Sequence, residues 1–143
     1  MPQQASDCGR LLKEISDNME KNANNALRQY DLTLTQVSVL VILMEYPEEK
    51  IPLKTLERLL HVAQPTVAGI VNRLVQKGMI VLLGDQNDKR VKYVSVTELG
   101  REKCRATRVQ KETMEQKMLE VLSEPERAEF EQMLLKIWNH LKA

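Results

Sequence analysis

Between Gln64 and Lys77 the chain carries side chains suited to reading the edge of a nucleic-acid duplex. Val67, Ile70, Val71 and Leu74 recur at three- or four-residue steps, which places them on one face of a helix. Gln64, Thr66, Ala68, Gly69, Asn72, Arg73 and Gln76 fall on the opposite face. Asn and Gln amides can pair bidentately with adenine, and a guanidinium with guanine or a phosphate. Small residues at Ala68 and Gly69 let a backbone approach the floor of a groove. Gly69 is equally read as a tolerated mid-helix glycine, at a cost of about 1 kcal/mol.

A second group follows at Gly84-Asp85-Gln86-Asn87-Asp88-Lys89-Arg90. An arginine on a hairpin can enter the minor groove, where the potential of a duplex is most negative. Asp85 and Asp88 repel phosphate, so they need a reason to be there. One reason is bracing: Asp88 can hold an arginine, Arg73 or Arg90, in a fixed direction. The plainer alternative is a polar turn in which Asp and Asn favour the turn geometry.

Elements must position these groups. Leu12, Ile15, Met19, Ala23, Ala26 and Tyr30 predict an amphipathic helix over about 8–30. Thr33-Leu34-Thr35-Gln36 is a capping box that opens a second helix, apolar nearly all round, which Pro47 ends. Ile51-Pro52 reads as a short extended link. Leu53, Leu56, Leu59 and Leu60 mark a short helix, and His61-Val62-Ala63 a tight turn. The next helix, Gln64 to Lys77, has Pro65 in its first turn and Gly78 as its stop.

Segments 79–83 and 91–96 have strand character, so the polar stretch between them is the tip of a β-hairpin. Thr97 starts a long helix whose middle, 101–117, has few apolar positions and reads as a connector crossing solvent. Ser123-Glu124-Pro125-Glu126 caps a last helix that carries Phe130, Met133, Leu134, Ile137, Trp138 and Leu141. The expected fold is mainly α with a small β-hairpin wing. In it a winged helix-turn-helix is flanked by N- and C-terminal helices. A rod of 64–77, roughly 21 Å long at ~1.5 Å per residue, fits a major groove about 12 Å wide.

Composition bounds the remainder. The 143 residues make one domain, 1–143. Lys and Arg number 21 and Asp and Glu 20, but the balance hides an asymmetry. Residues 1–49 hold four basic and eight acidic side chains, net −4. Residues 50–101 hold nine and four, net +5. A basic middle segment suits a polyanion partner, although the same excess suits an ordinary solvated surface. Aromatics at 3% argue against a stacking platform for single strands. The longest apolar run, Val37 to Met44, is interrupted by Ser38 and is short of a membrane span. No export leader is recognisable at the start, and two cysteines make no disulfide framework, so a cytoplasmic protein without membrane partners is expected.

Taken together, several motifs resemble the MarR family of winged-helix transcription regulators over 32–100. They are Leu32-Thr33-Leu34-Thr35-Gln36, Leu53-Lys54-Thr55-Leu56, Pro65-Thr66-Val67, Asn72-Arg73-Leu74-Val75-Gln76-Lys77-Gly78, Asp85-x-x-Asp88-Lys89-Arg90 and Val94-x-Val96-Thr97-x-x-Gly100. The resemblance implies a homodimer with recognition helices in successive major grooves of a palindromic double-stranded DNA operator and wings in the flanking minor grooves. It also implies a small-molecule effector, phenolic or lipophilic, that relieves repression. By the same resemblance Arg90 enters the minor groove, Asp88 braces the wing, Gln64, Thr66 and Asn72 face bases, and Lys54 meets a phosphate. Arg73, Lys89 and Gly69 complete the expected DNA face. Residues 32–100 become the DNA-binding lobe, with 8–30 and 101–143 the dimerisation region. Two positions depart from the pattern: Asn87 stands where a basic residue is common, and Ala63 cannot cap the helix that follows.

The end helices carry apolar faces that the lobe alone cannot cover: Leu11, Leu12, Ile15, Leu119, Leu122, Phe130, Leu134, Ile137 and Trp138. They predict a dimer interface, with an intrachain helical pack as the alternative. Cys8 is read as an ordinary thiol; the resemblance offers a cysteine-based redox sensor as the alternative, which neighbouring Asp7 disfavours and Arg10 could offset. A winged-helix module that docks an acidic protein is a further alternative. His61 and His140 lack neighbouring ligands, so no metal site and no cofactor are expected. No nucleophile, phosphate loop or carboxylate pair predicts an enzyme.

Overall fold

A computed structural model describes residues 7–46, 50–60 and 64–142. The stop at Pro47 and the turn His61-Val62-Ala63, with its uncapped Ala63, lie outside the described residues. The chain begins with α1 (Cys8–Leu27) and a 3-10 turn (Arg28–Tyr30). Then come α2 (Leu34–Glu45), β1 (Ile51–Pro52), α3 (Leu53–Leu60) and α4 (Gln64–Gln76). Strands β2 (Ile80–Gly84) and β3 (Lys92–Val96) are followed by α5 (Glu98–Leu119) and α6 (Glu124–Leu141).

Helix α2 is central. Val37, Val39, Leu40, Val41 and Leu43 are all buried, as its all-round apolar sequence requires. Leu56 of α3, Val67, Val71 and Leu74 of α4, and Ile80, Val94 and Val96 of the sheet pack with it in one core. Both capping boxes form. The Gln36 amide donates to Thr33 Oγ1 at 3.2 Å while the Thr33 amide donates to Gln36 Oε1 at 3.1 Å. Ser123 and Glu126 do the same at the start of α6. Each such cap contributes about 1 kcal/mol.

The sheet has three strands rather than a bare hairpin, in the order β1-β3-β2 and antiparallel throughout. Ile51 pairs with Val94 and Pro52 with Tyr93. The extended link expected at 51–52 is therefore the strand that fastens the entry of α3 to the wing. Two residues carry no period, and only the partner strand reveals the pairing.

Helix α5 corrects the connector expected over 101–117. It packs against α1 and α2, with Gly100, Cys104 and Thr107 of its first half buried. These small residues make no apolar stripe in the sequence, yet they let helices approach closely. The Thr107 hydroxyl satisfies itself on the Lys103 carbonyl at 2.6 Å. Further along, Val109 and most later positions are exposed, while Met114 and Met118 line a cleft with α1.

Two glycines fix the root of the wing. Gly78 closes α4 at φ +73°, with its amide on the Val75 carbonyl and the Met79 amide on the Leu74 carbonyl, each at 3.0 Å. A Cβ at Gly100 would collide with the Met79 carbonyl oxygen and crowd the Val96 side chain. The first turn of α5 is thus pressed onto the strand entrance. Thr97 ties the same point, its amide donating to Met79 O at 2.9 Å and its hydroxyl to Gly78 O at 2.7 Å.

Candidate nucleic-acid interface

Helix α4 buries Val67, Val71 and Leu74 and exposes Gln64, Thr66, Ala68, Gly69, Asn72, Arg73 and Gln76. The period of the sequence separates the two faces as expected. A Cβ at Gly69 would meet nothing within 4 Å, so no contact inside the chain demands glycine there. The outward face is polar, small near its middle and free of acidic side chains.

At the N-terminal end of α4 the chain forms a cleft. Lys54 of α3, Gln64 of α4, Asp88 and Arg90 of the wing tip, and Lys92 of β3 line it together with Glu57. Four of the expected site residues thus come from three different elements to one place. The β1–β3 pairing produces this, because it draws the start of α3 against the base of the wing. Lys92 and Glu57 were not expected in the site. Lys92 reads as an outward strand residue, and Glu57 as one charge on an amphipathic helix.

The wing tip is internally braced. Arg90 Nε donates to Asp88 Oδ1 at 3.1 Å and Arg90 Nη2 to Asp88 Oδ2 at 3.2 Å. The Arg90 amide adds a third bond to Asp88 Oδ1 at 2.9 Å. Of the two partners the sequence allowed for Asp88, the structure pairs it with Arg90 and not Arg73. Arg90 remains 91% exposed despite the pair. The Arg90 guanidinium, and after it the Arg90 amide, hold the Asp88 carboxyl below its ordinary pKa. Val91 N donates to Asp88 O at 3.1 Å and Asp85 N to Val91 O at 3.2 Å, which closes the tip. Lys89 is exposed beside it.

Arg73 lies at the other end of α4. It shares a second cleft with Arg28, Lys77 and the N-terminal residues of α2, Thr33 and Gln36. Lys77 is not a free cation there. Its ammonium donates to the Asp31 carbonyl and, at 3.2 Å, to Gln36 Oε1. The end of α4 is therefore latched to the start of α2. Arg28 stands 45 positions from Arg73 in the sequence, so pattern reading did not join the two.

The apolar residues of the end helices divide. Leu11, Leu12, Ile15, Ile137 and Trp138 are exposed, between 42% and 50%. Leu119, Leu122, Phe130 and Leu134 are half-buried. Leu12, Ile15, Phe130 and Leu134 meet along one groove within the chain. Cys8 is exposed and Cys104 buried, and burial pushes the Cys104 thiol up, away from the reactive thiolate. Among the described residues no group of three His, Cys, Asp or Glu could hold a metal. Among them, too, no helix is long and apolar enough to cross a membrane.

Residues 30–91 match the sequence profile of the MarR family. The HTH-type transcriptional regulator SarZ of Staphylococcus haemolyticus is 31% identical over 90 residues, which span 63% of this chain and 60% of that relative. The fold superposes on MepR of S. aureus in its DNA complex with TM-score 0.88 and 26% identity, covering 94% of this chain and 98% of that one. It superposes on a mutant MarR from E. coli complexed with operator DNA with TM-score 0.80 and 27% identity, covering 90% and 91%.

Proposed function

We propose, from the premise that this chain is a MarR-family winged-helix protein, that it acts as a dimeric, sequence-specific DNA-binding transcription regulator. It represses and is released by a small-molecule effector. Residues 32–100 form the DNA-binding lobe, and 8–30 with 101–143 the dimerisation region. The observation that carries this reading is the wing of Arg90 clamped by Asp88, standing beside the polar outward face of α4. A groove-sized rod and a directed guanidinium are what a duplex requires.

The roles follow from chemistry. Gln64, Thr66 and Asn72 present donors and acceptors to base edges. Gly69 lets the α4 backbone come close. Lys54, Arg73 and Lys89 meet phosphates, which set affinity and its salt dependence. Arg90 enters the minor groove. One lobe meets few phosphates, whereas two joined lobes read half-sites about 34 Å apart. The exposed faces of Leu11, Leu12, Ile15, Ile137 and Trp138, with Leu119, Leu122, Phe130 and Leu134, supply the joining surface. A cytoplasmic place and the absence of catalysis belong to the same reading.

Selection of bound duplexes from a random pool tests it. A palindromic consensus whose affinity falls linearly with salt on logarithmic axes is the expected result. No enrichment, or affinity indifferent to salt, favours instead a module that docks an acidic protein.

A further inference from the structure

We infer that the cleft where Arg28, Arg73 and Lys77 meet is a phosphate site, and that it grips the backbone of a duplex at the end of α4 away from the wing. The inference rests on the DNA reading above and adds Arg28, the residue that follows α1, to the surface that touches DNA. The cleft has a volume of about 330 Å³, and of the side chains lining it Leu32 alone is apolar. A site for a lipophilic molecule is walled mostly by apolar groups, so this one selects a small polar group.

Its charge selects the sign. Arg28, Arg73 and Lys77 stand against Asp31, net +2. The wing-tip cleft sets Lys54, Arg90 and Lys92 against Glu57 and Asp88, net +1. The Lys77 ammonium lies 3.7 Å from the Asp31 carboxylate, so the one acid is already engaged. The Arg28 guanidinium donates to the neutral Asn25 Oδ1 at 3.2 Å. Among the described residues neither Arg28 nor Arg73 forms an ion pair. Two guanidiniums lining one cleft repel each other until an anion enters, and their planar forks of donors match the oxygens of a phosphate.

Placement selects the source of that phosphate. Arg73 lies nine residues beyond Gln64 on α4, about 14 Å along the axis, and a major groove is about 12 Å wide. A rod of that span seated in the groove has a sugar-phosphate backbone near each end. Gln64 shares the wing-tip cleft with Lys54 and Arg90, and Arg73 shares this one with Arg28. The two clefts thus bracket α4 and take the two strands that border one groove. Arg28 is about 20 Å along α1 from Ile15, clear of the Leu11, Leu12 and Ile15 face that joins two copies.

Affinity of the full chain for a selected and a random duplex, measured by anisotropy across a salt series, makes the test. Arg28→Gln should weaken both about fivefold and reduce the steepness of log affinity against log salt by about 1. Arg28→Lys should restore most of that steepness. A neutral methylphosphonate moved along each strand then locates the contact. At one position per half-site the wild type should lose about fivefold and Arg28→Gln less than about twofold. An unchanged salt dependence in Arg28→Gln overturns the proposal, as do equal losses in both proteins at every methylphosphonate position. Inorganic phosphate titrated into the DNA-free protein separates the sources. Binding that Arg28→Gln abolishes, beside an unaltered duplex affinity, makes this a free-anion site and overturns the backbone clamp. Failure of the wild type to bind any duplex sinks the DNA reading and the clamp together. Wild-type binding that is insensitive to Arg28 sinks the clamp alone.

Discussion

Asp88 grips Arg90 from both carboxylate oxygens and again through the Arg90 amide, two residues along the same loop. A flexible, highly exposed arginine thereby acquires one direction. Much of the entropy of ordering that long side chain is lost before any partner arrives, so less is lost on contact.

Arg90→Ala should weaken binding to a selected duplex about tenfold and lower the slope of log affinity against log salt by about 1. Affinity measured across a salt series checks this. An unchanged slope would remove Arg90 from the interface.

Asp88→Ala separates bracing from repulsion. Deleting a carboxylate beside phosphates should by itself tighten binding. If holding Arg90 matters more, affinity falls instead, by about threefold or more. The sign of the change, read by fluorescence anisotropy, decides between them.

The same pair fixes a pH response. The Asp88 carboxyl lies below its ordinary range because Arg90 favours its charged form. The bracing it contributes is therefore fully present above the ordinary carboxylate range and is lost as pH falls through the depressed folded value. Carboxyl chemical shifts followed by NMR should titrate lower in the wild type than in Arg90→Ala. Coincident midpoints would mean that the pair does not persist in solution.

Asn72→Ala should cost about 1–3 kcal/mol on the selected site and much less on random duplex. Parallel titrations on both duplexes test it. Equal loss on the two would make Asn72 a backbone contact rather than a base reader.

Gly100→Ala brings a methyl group against the Met79 carbonyl, a rigid neighbour. Destabilisation of about 1–3 kcal/mol is expected, with a fall of several degrees in Tm. Gly69→Ala, where a Cβ meets open space, should leave Tm unchanged or raise it slightly, since alanine is the better helix former. Weaker duplex binding by Gly69→Ala at undiminished Tm would support close approach of the backbone.

Sequence alone revealed whatever has a period or a local signature. The buried and exposed faces of α4 followed from Val67, Val71 and Leu74, and both capping boxes from residues three apart. Gly78 announced the end of α4. The Asp88 brace was legible as a choice between two arginines, because a carboxylate two residues away and one on another element have the same chemistry on paper. Long-range geometry was not legible. The pairing of Ile51 with Val94 involves a strand too short to show alternation. The packing of α5 rests on Gly100, Cys104 and Thr107, small residues that a search for apolar stripes passes over. The latch from Lys77 to Asp31 and Gln36 joins residues 46 and 41 positions apart. Arg28 joins Arg73 only once the chain has folded.

That latch and the Gly100 contact have a mechanical consequence. The reading rod is bolted to α2 at its far end, and the root of the finger is welded to α5. Neither can be re-aimed alone. On the proposed dimeric reading, a ligand that tilts the long helices would swing rod and finger together, and control over a duplex would become a matter of how far apart the two lobes are held.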